Sequence, residues 1–213
     1  MEHVINNIGG SGIFIQVGAG AGDLDSGVSF HDGFTEFIKK LPRERIKKII
    51  LVEPNPINIP KLRECWKDYP EATIYELAIV PKNIKEDTVT LYYEKDDGPH
   101  FQVASIIKDH VQKHYQNKSE FNTFTARTKH LEDFINEITK EEIELLALDI
   151  EGIDAEILLD IDYNNLKVKF LSFEHLHLGN NTESVLLKLT NNNFNYLGNG
   201  VDYNGYDHLF ARF

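Results

Sequence analysis

The sequence predicts an α/β fold of the Rossmann-like class, a mostly parallel sheet with helices on both faces, and three observations carry that prediction. Short apolar runs with strand character alternate with segments of helical period, the pattern of a parallel sheet with crossover helices. The first apolar run leads into a glycine-rich loop at residues 16–22. The chain closes on two strand-like segments separated by turn residues, the pattern of an antiparallel hairpin.

Taken in order, residues 13–17 form the first strand and the glycine loop follows. A helix is expected over 32–41, where Phe34, Phe37, Ile38 and Leu41 share a face, with Pro42 near its end. Residues 48–53 give a second strand, 59–69 a helix and 72–80 a third strand. Residues 87–93 alternate as a further strand, and 103–115 have helical spacing. The next helix opens at Thr128, with Leu131, Phe134, Ile135 and Ile138 on its inner face. A buried strand over 143–150, a helix over 153–159, a strand over 168–175 and a helix over 183–189 follow. Residues 194–200 and 207–213 make the closing hairpin.

A chain of 213 residues fills one α/β domain and is too short for two. Residues 1–213 are therefore expected to be a single domain, with 1–12 as an N-terminal extension. The apolar share of 41% and charged share of 26% belong to a globular chain. No apolar run approaches the roughly 20 residues that span a bilayer, so no membrane partner is expected. The opening residues lack the basic-then-apolar pattern of a signal peptide. Cys65, the only cysteine, excludes an intramolecular disulfide and fits a reducing cytoplasm. The net charge of −12 counts against a nucleic-acid partner, which would draw on Lys and Arg to neutralise phosphates. A small neutral or cationic acceptor fits the charge better.

Glycines at 18, 20 and 22 let the backbone turn sharply and approach a ligand where a Cβ would clash. A dinucleotide loop needs a third glycine beside the pyrophosphate, and Asp23 occupies that place here. An acid is unfavourable beside a pyrophosphate, whereas S-adenosylmethionine has no phosphate and carries a sulfonium cation. Glu53, at the end of the second strand, can accept both hydroxyls of a ribose. Its distance from the loop exceeds the roughly 20 residues typical of nicotinamide-binding domains. Separately, the loop could be a plain turn and Glu53 a solvated strand end; together they describe a nucleoside site.

Asp149, Glu151 and Asp154 crowd a strand-to-helix turn at the carboxyl end of a buried strand, where ligands bind in open sheets. Their charges repel one another unless they meet a cation, a donor or a substrate. Asp154 is assigned to the helix N-terminus and Asp149 to function. Glu174, His175 and His177 end the next strand. A histidine of near-neutral pKa can take a proton from an acceptor hydroxyl, so His175 is the first candidate for a general base, with Asp149 and Glu174 behind it. His110 and His114 stand four apart on one helical face, a spacing that can bind zinc. No third ligand has motif spacing, and no metal is assigned. Asp149, Glu174 and His175 could hold Mg²⁺ only if oxygen ligands converged on one point, which spacing does not establish.

Residues 14–23 (FIQVGAGAGD), 50–56 (ILVEPNP), 76–80 (ELAIV), 146–152 (LALDIEG) and 170–175 (FLSFEH), in this order, resemble the FkbM-type S-adenosylmethionine-dependent methyltransferases. Residues 198–213 are similar to that family's last hairpin, a habit of methyltransferases and unusual in nicotinamide-binding domains, and 128–135 to its helix before the D-x-E-G strand. The resemblance covers nearly the whole chain from Phe14. It implies a seven-stranded class I methyltransferase sheet, S-adenosyl-L-methionine as cofactor, and O-methylation of a hydroxyl on a sugar or other small molecule. By position, Gly18, Ala19 and Gly20 pass under the cofactor and Glu53 holds its ribose. Pro54, Asn55, Leu77 and Ala78 border the adenine, and Asp149 lies near the methionine end and the methyl group.

Two departures from the family stand out. Gln16 occupies a place where the family has Asp, which leaves the methionine ammonium an amide oxygen in place of a charge. Residues 23–34 exceed the family's tight step from loop to helix and are read as a lid, with Phe30 and His31 as its contacts. Residues 81–126 are expected to shape the acceptor pocket, through Tyr92, Tyr93, His100, Phe101 and Ser105. Two rival functions follow: a nicotinamide-dependent oxidoreductase, against which Asp23 and the closing hairpin speak, and a module that binds the cofactor without turnover, which Gln16 raises.

Overall fold

Strand β1 (Gly12–Val17) is buried along its whole length. In the computed structural model, which describes residues 4, 10–25, 32–94, 103–115, 120–202 and 205–213, it lies at the centre of the larger of two sheets. Parallel β2 (Ile46–Val52) flanks it on one side and parallel β8 (Ile143–Leu148) on the other. With β3 (Ala72–Tyr75), β9 (Val168–Glu174), β10 (Asn195–Asn199) and β11 (Asp207–Ala211), the order across seven strands is β10-β11-β9-β8-β1-β2-β3. Strand β11 runs against both β9 and β10, which delivers the expected closing antiparallel pair. The chain thus builds one flank from β1 to β3 and the other from β8 onward, so the order reverses beside β1.

Alternation along these strands separates two apolar layers. Ile13, Ile15, Ile50, Val52, Leu146 and Leu171 face one layer, closed by helices α4 (Leu131–Ile138), α5 (Asp154–Asp160) and α6 (Thr182–Asn191). Phe14, Ile49, Leu51, Leu145 and Phe170 face the other, closed by α1 (Gly33–Lys40) and α2 (Ile59–Cys65). Helix α1 begins as expected because Asp32 caps it, accepting the Thr35 N–H at 2.8 Å. Val4, in the expected N-terminal extension, is fully buried in this second layer. No helix among the described residues is long and apolar enough to cross a membrane.

The smaller, four-stranded sheet holds the main departures from the sequence expectations. The strand expected over 72–80 is two strands. Residues 72–75 end the large sheet's edge, with Glu53 donating to the Tyr75 carbonyl at 3.1 Å, and β4 (Ala78–Ile79) then joins β7 (Asn122–Lys129). Strand β7 was not expected. Its residues alternate in exposure and pair along their length with β5 (Thr88–Tyr93), so Thr128 lies in a strand that ends at Lys129, and α4 starts only at Leu131. Residues 103–115 divide into β6 (Ala104–Ser105), paired with β5, and α3 (Lys108–His114). The helix expected over 59–69 stops at Cys65.

Candidate functional site

A cavity open to solvent lies at the carboxyl ends of β1, β2 and β8, where the strand order reverses. This is the place where open α/β sheets bind ligands. The glycine loop forms its floor. Gly18 and Ala19 both donate to the Val52 carbonyl, at 2.9 and 3.0 Å, which folds the loop back onto β2. Gly18 has φ +83°, and a Cβ there would lie 1.7 Å from the Asp149 carbonyl oxygen. No L side chain fits at that point. Gly20, at φ +53°, has nothing within 4 Å of such a Cβ, because it faces the open cavity.

Glu53 is buried, and hydrogen bonds hold its side chain in place. Its carboxylate accepts from the Gly20 N–H at 2.8 Å, from the Asn55 N–H at 2.8 Å and from Asn58 Nδ2 at 3.2 Å. These bonds replace lost hydration and lock the glycine loop to the end of β2. Asn55 is fully buried and absent from the cavity wall. Its N–H, donated to Glu53 Oε1, shapes the turn that presents that carboxyl group.

Gln16 is also buried and does not line the cavity. Its Nε2 donates to Asp32 Oδ1 at 2.9 Å, while its Oε1 is buried without a hydrogen-bond partner. Asp32 itself lines the cavity. A carboxylate therefore stands beside the amide that occupies the family's Asp position, supplied by the cap of α1. Desolvation raises the Asp32 carboxyl, opposed by its hydrogen bonds from Thr35 and Gln16. Phe30 and His31, the expected lid contacts, lie outside the described residues.

Across the cavity floor, acids converge. Asp149 lies deep in the protein, yet its side chain is exposed because it opens into the cavity. Burial raises its pKa well above the ordinary value, and Glu151 and Glu174 add like charge. Burial likewise pushes Asp154 to about 7 and Glu174 to about 8. Asp154 accepts the Ile150 N–H at 3.1 Å, which fixes the loop after β8. Glu174 is half-buried and does not line the cavity. Such a group of acids favours a cation close by.

His175 does not line the cavity either. Its Nε2 lies 3.1 Å from the Gly205 carbonyl, and its ring stacks on His208 at 3.9 Å. Successive strand residues point to opposite faces, so His175 diverges from Glu174 and from Asp149. His177 behaves otherwise: it meets His110 and His114, with ring centroids 4.6 and 5.6 Å away. His110 Nε2 lies 3.0 Å from Glu151 Oε2.

The remaining wall of the cavity comes from residues within 81–126. Leu91, Ala104, Ser105 and Ile106 complete the wall. Ser105 donates to the Glu151 carbonyl at 2.7 Å and so ties β6 to the loop after β8. Tyr92 and Tyr93 do not line the cavity; His100 and Phe101 lie outside the described residues. Gly18, Ala19, Gly20, Glu53, Pro54, Leu77, Ala78 and Asp149 all line it. Sequence reasoning missed Asp32 and gave Glu151 no role in the site. The signals were present in an Asp that starts a helix and a Glu followed by glycine. Leu91, Ala104 and Ile106 carry no such signal, since apolar residues fill cores as readily as pockets.

Residues 16–196 match the family model of the Methyltransferase FkbM domain. Among solved structures, the chain is similar to the methyltransferase FkbM of Methylobacillus flagellatus KT, at 13% identity and TM-score 0.49, over 94% of this chain and 43% of that one. It is similar to the human methyltransferase 10 domain containing protein, at 10% identity and TM-score 0.52, over 99% of this chain and 78% of that one. It is also similar to fibrillarin of Aeropyrum pernix in complex with natively bound S-adenosyl-L-methionine, at 11% identity and TM-score 0.44, over 96% and 66% of the two chains. The chain spans less than half the length of the Methylobacillus protein. No curated protein matches it. The likeness to the human structure bears on the fold alone, the α/β sheet of the class I methyltransferases.

Proposed function

The chain belongs to the FkbM methyltransferase family, and from that premise we propose that it methylates a hydroxyl of a sugar or other small molecule, using S-adenosylmethionine. The observation that carries this proposal is the cavity floor, where the glycine loop, Glu53 and Asp149 meet at the ends of three adjacent strands.

The residues fit that cofactor. Gly20 leaves open space where a ligand must pass close to backbone. Glu53 is fixed at the cavity wall, where ribose hydroxyls can donate to it. The Asp32 carboxyl group, which lines the cavity and is held by Gln16 Nε2, suits an ammonium group, so Gln16 is no reason to expect an inactive binding module. When bound, S-adenosylmethionine supplies a methyl group already activated by its sulfonium. The chain then has to align an acceptor oxygen and relieve it of its proton. Asp149 opens into the cavity, which supports it as the group that takes that proton, whereas His175 and Glu174 do not line the cavity. Leu91, Ala104 and Ile106 exclude water on the acceptor side.

Calorimetry of S-adenosylhomocysteine against NAD, on the wild type and Glu53→Ala, tests the cofactor. S-Adenosylhomocysteine should bind the wild type and lose at least about tenfold in the variant, roughly 1.4 kcal/mol. Binding of NAD alone would overturn the proposal. Labelled-methyl transfer to a panel of sugars and other hydroxyl compounds tests the acceptor, and transfer solely to amines or nucleic acid refutes the hydroxyl.

A further inference from the structure

Beyond the methyl-transfer cavity, three remote parts of the chain bring four metal-ligating side chains together. Helix α3 contributes His110 and His114 at i, i+4, the loop after β8 contributes Glu151, and the segment after β9 contributes His177. One ligand atom from each lies within 4.8 Å of all the others. We propose that His110, His114, Glu151 and His177 form a binding site for one divalent transition-metal ion, with zinc the best match.

The spacing suits a metal. Zinc–ligand bonds of about 2.0–2.1 Å in a tetrahedron set ligand atoms about 3.4 Å apart. Contraction from the observed spread needs less than about 1 Å of movement per ligand by the same geometry, within the reach of side-chain torsions. The donors are three imidazoles and one carboxylate. Calcium and magnesium call for sets of oxygen ligands, whereas imidazole suits zinc and its neighbours in the first transition row.

The surroundings are built to hold this arrangement. Glu151 has φ +49°, a left-handed conformation that non-glycine residues adopt sparingly, and Ser105 anchors its carbonyl. Gly152 follows at φ +97°, and a Cβ there would lie 2.6 Å from His110 Nδ1. The backbone bends so that the His110 ring can sit against it. Glu174 Oε1 lies 3.4 Å from His177 Nε2, the carboxylate–imidazole pairing that orients histidine ligands from behind.

Four protein ligands make a closed, structural site. Its effect is to fasten α3, which belongs to the segment that walls the acceptor side, to the ends of β8 and β9. Glu151 lines the cavity as well, so the ion sets the position of that wall. Metal binding does not depend on methyl transfer, and the two ideas fail separately.

The test uses the chain without an affinity tag, stripped with a chelator and titrated with zinc against a chromophoric competitor. Cobalt(II) absorption in the visible range reports the coordination geometry. The wild type should take up one equivalent, give the intense bands of tetrahedral cobalt and unfold at a higher temperature with zinc than without. His114 is exposed, so His114→Ala keeps the fold. It should weaken zinc by more than the about 10–100-fold that losing an outer partner costs, and it should lose the cobalt bands. His177→Gln should do the same; if it fails to fold, His114→Ala carries the test. Failure of the wild type to bind stoichiometrically, or equal affinity in the wild type and His114→Ala, would overturn the proposal.

Discussion

The large sheet reaches the cavity from the ends of three adjacent parallel strands, β1, β2 and β8, and its contacts are mostly backbone or held by backbone. The small sheet reaches the same cavity with Leu91 from β5 and Ala104 and Ser105 from β6, brought there by packing across remote segments. On the first side the ligand groove is a property of the chain's turns, so few residue types are permitted. On the second it is a property of which side chains meet. The first kind of site constrains sequence at short range and the second hardly does.

The sharpest way to break this contrast is within the glycine loop. Gly18→Ala drives a Cβ into the Asp149 carbonyl and should cost on the order of 3 kcal/mol or more in chemical denaturation. Gly20→Ala meets no atom and should cost only about 1–2 kcal/mol, the left-handed penalty of an L residue, while S-adenosylhomocysteine binding falls sharply. Equal stability losses in the two variants would mean that Gly20 is structural and not a ligand-facing position.

Acid–base linkage comes next. Asp154 is neutral in the folded chain up to about 7, whereas an ordinary Asp ionises near 3.8. Its folded pKa is raised, so its contribution to stability is full below the unfolded value and is lost as pH climbs through about 7. Asp154→Asn keeps an acceptor for the Ile150 N–H and removes the titration. Between about pH 5 and about pH 8 the wild type should lose on the order of 3 kcal/mol relative to this variant, measured by denaturation at each pH. A gap that stays constant would show that Asp154 ionises normally.

The smallest effect belongs to His175. His175→Ala should lower single-turnover methyl transfer by far less than the about 10²–10⁴-fold that loss of a general base costs. A loss inside that range would place the proton on His175 and move the chemistry toward the closing strands.

The same contrast explains what the sequence disclosed. Residues 13–22 could be read because a buried strand and a left-handed loop each leave their own mark within ten positions. Asp149 could be read because strand ends are where sheets of this type expose carboxylates. Strand β7 was hidden, since Thr128 and Lys129 begin what also looks like a helix start, and only pairing with β5 and β4 decides between them. The partnership of Gln16 with Asp32 and the meeting of His177 with His110 are products of tertiary folding. Strand alternation carried more information about His175 than its neighbour Glu174 did, because successive residues face opposite ways.

Strand β1 joins β8 through Phe14 and Leu145, residues from the first and the last third of the chain. Such pairing is slow to form, because a long loop must close before the contacts reward it. The Gly18 loop closes on β2 early in the sequence, but its other support, the Asp149 N–H donated to Val17, comes from that late partner. A chain emerging from the ribosome therefore carries half a groove until β8 has been made. A cofactor that binds this groove in the native state alone would stabilise only the finished sheet, and so would act on the last step of folding and not on the first.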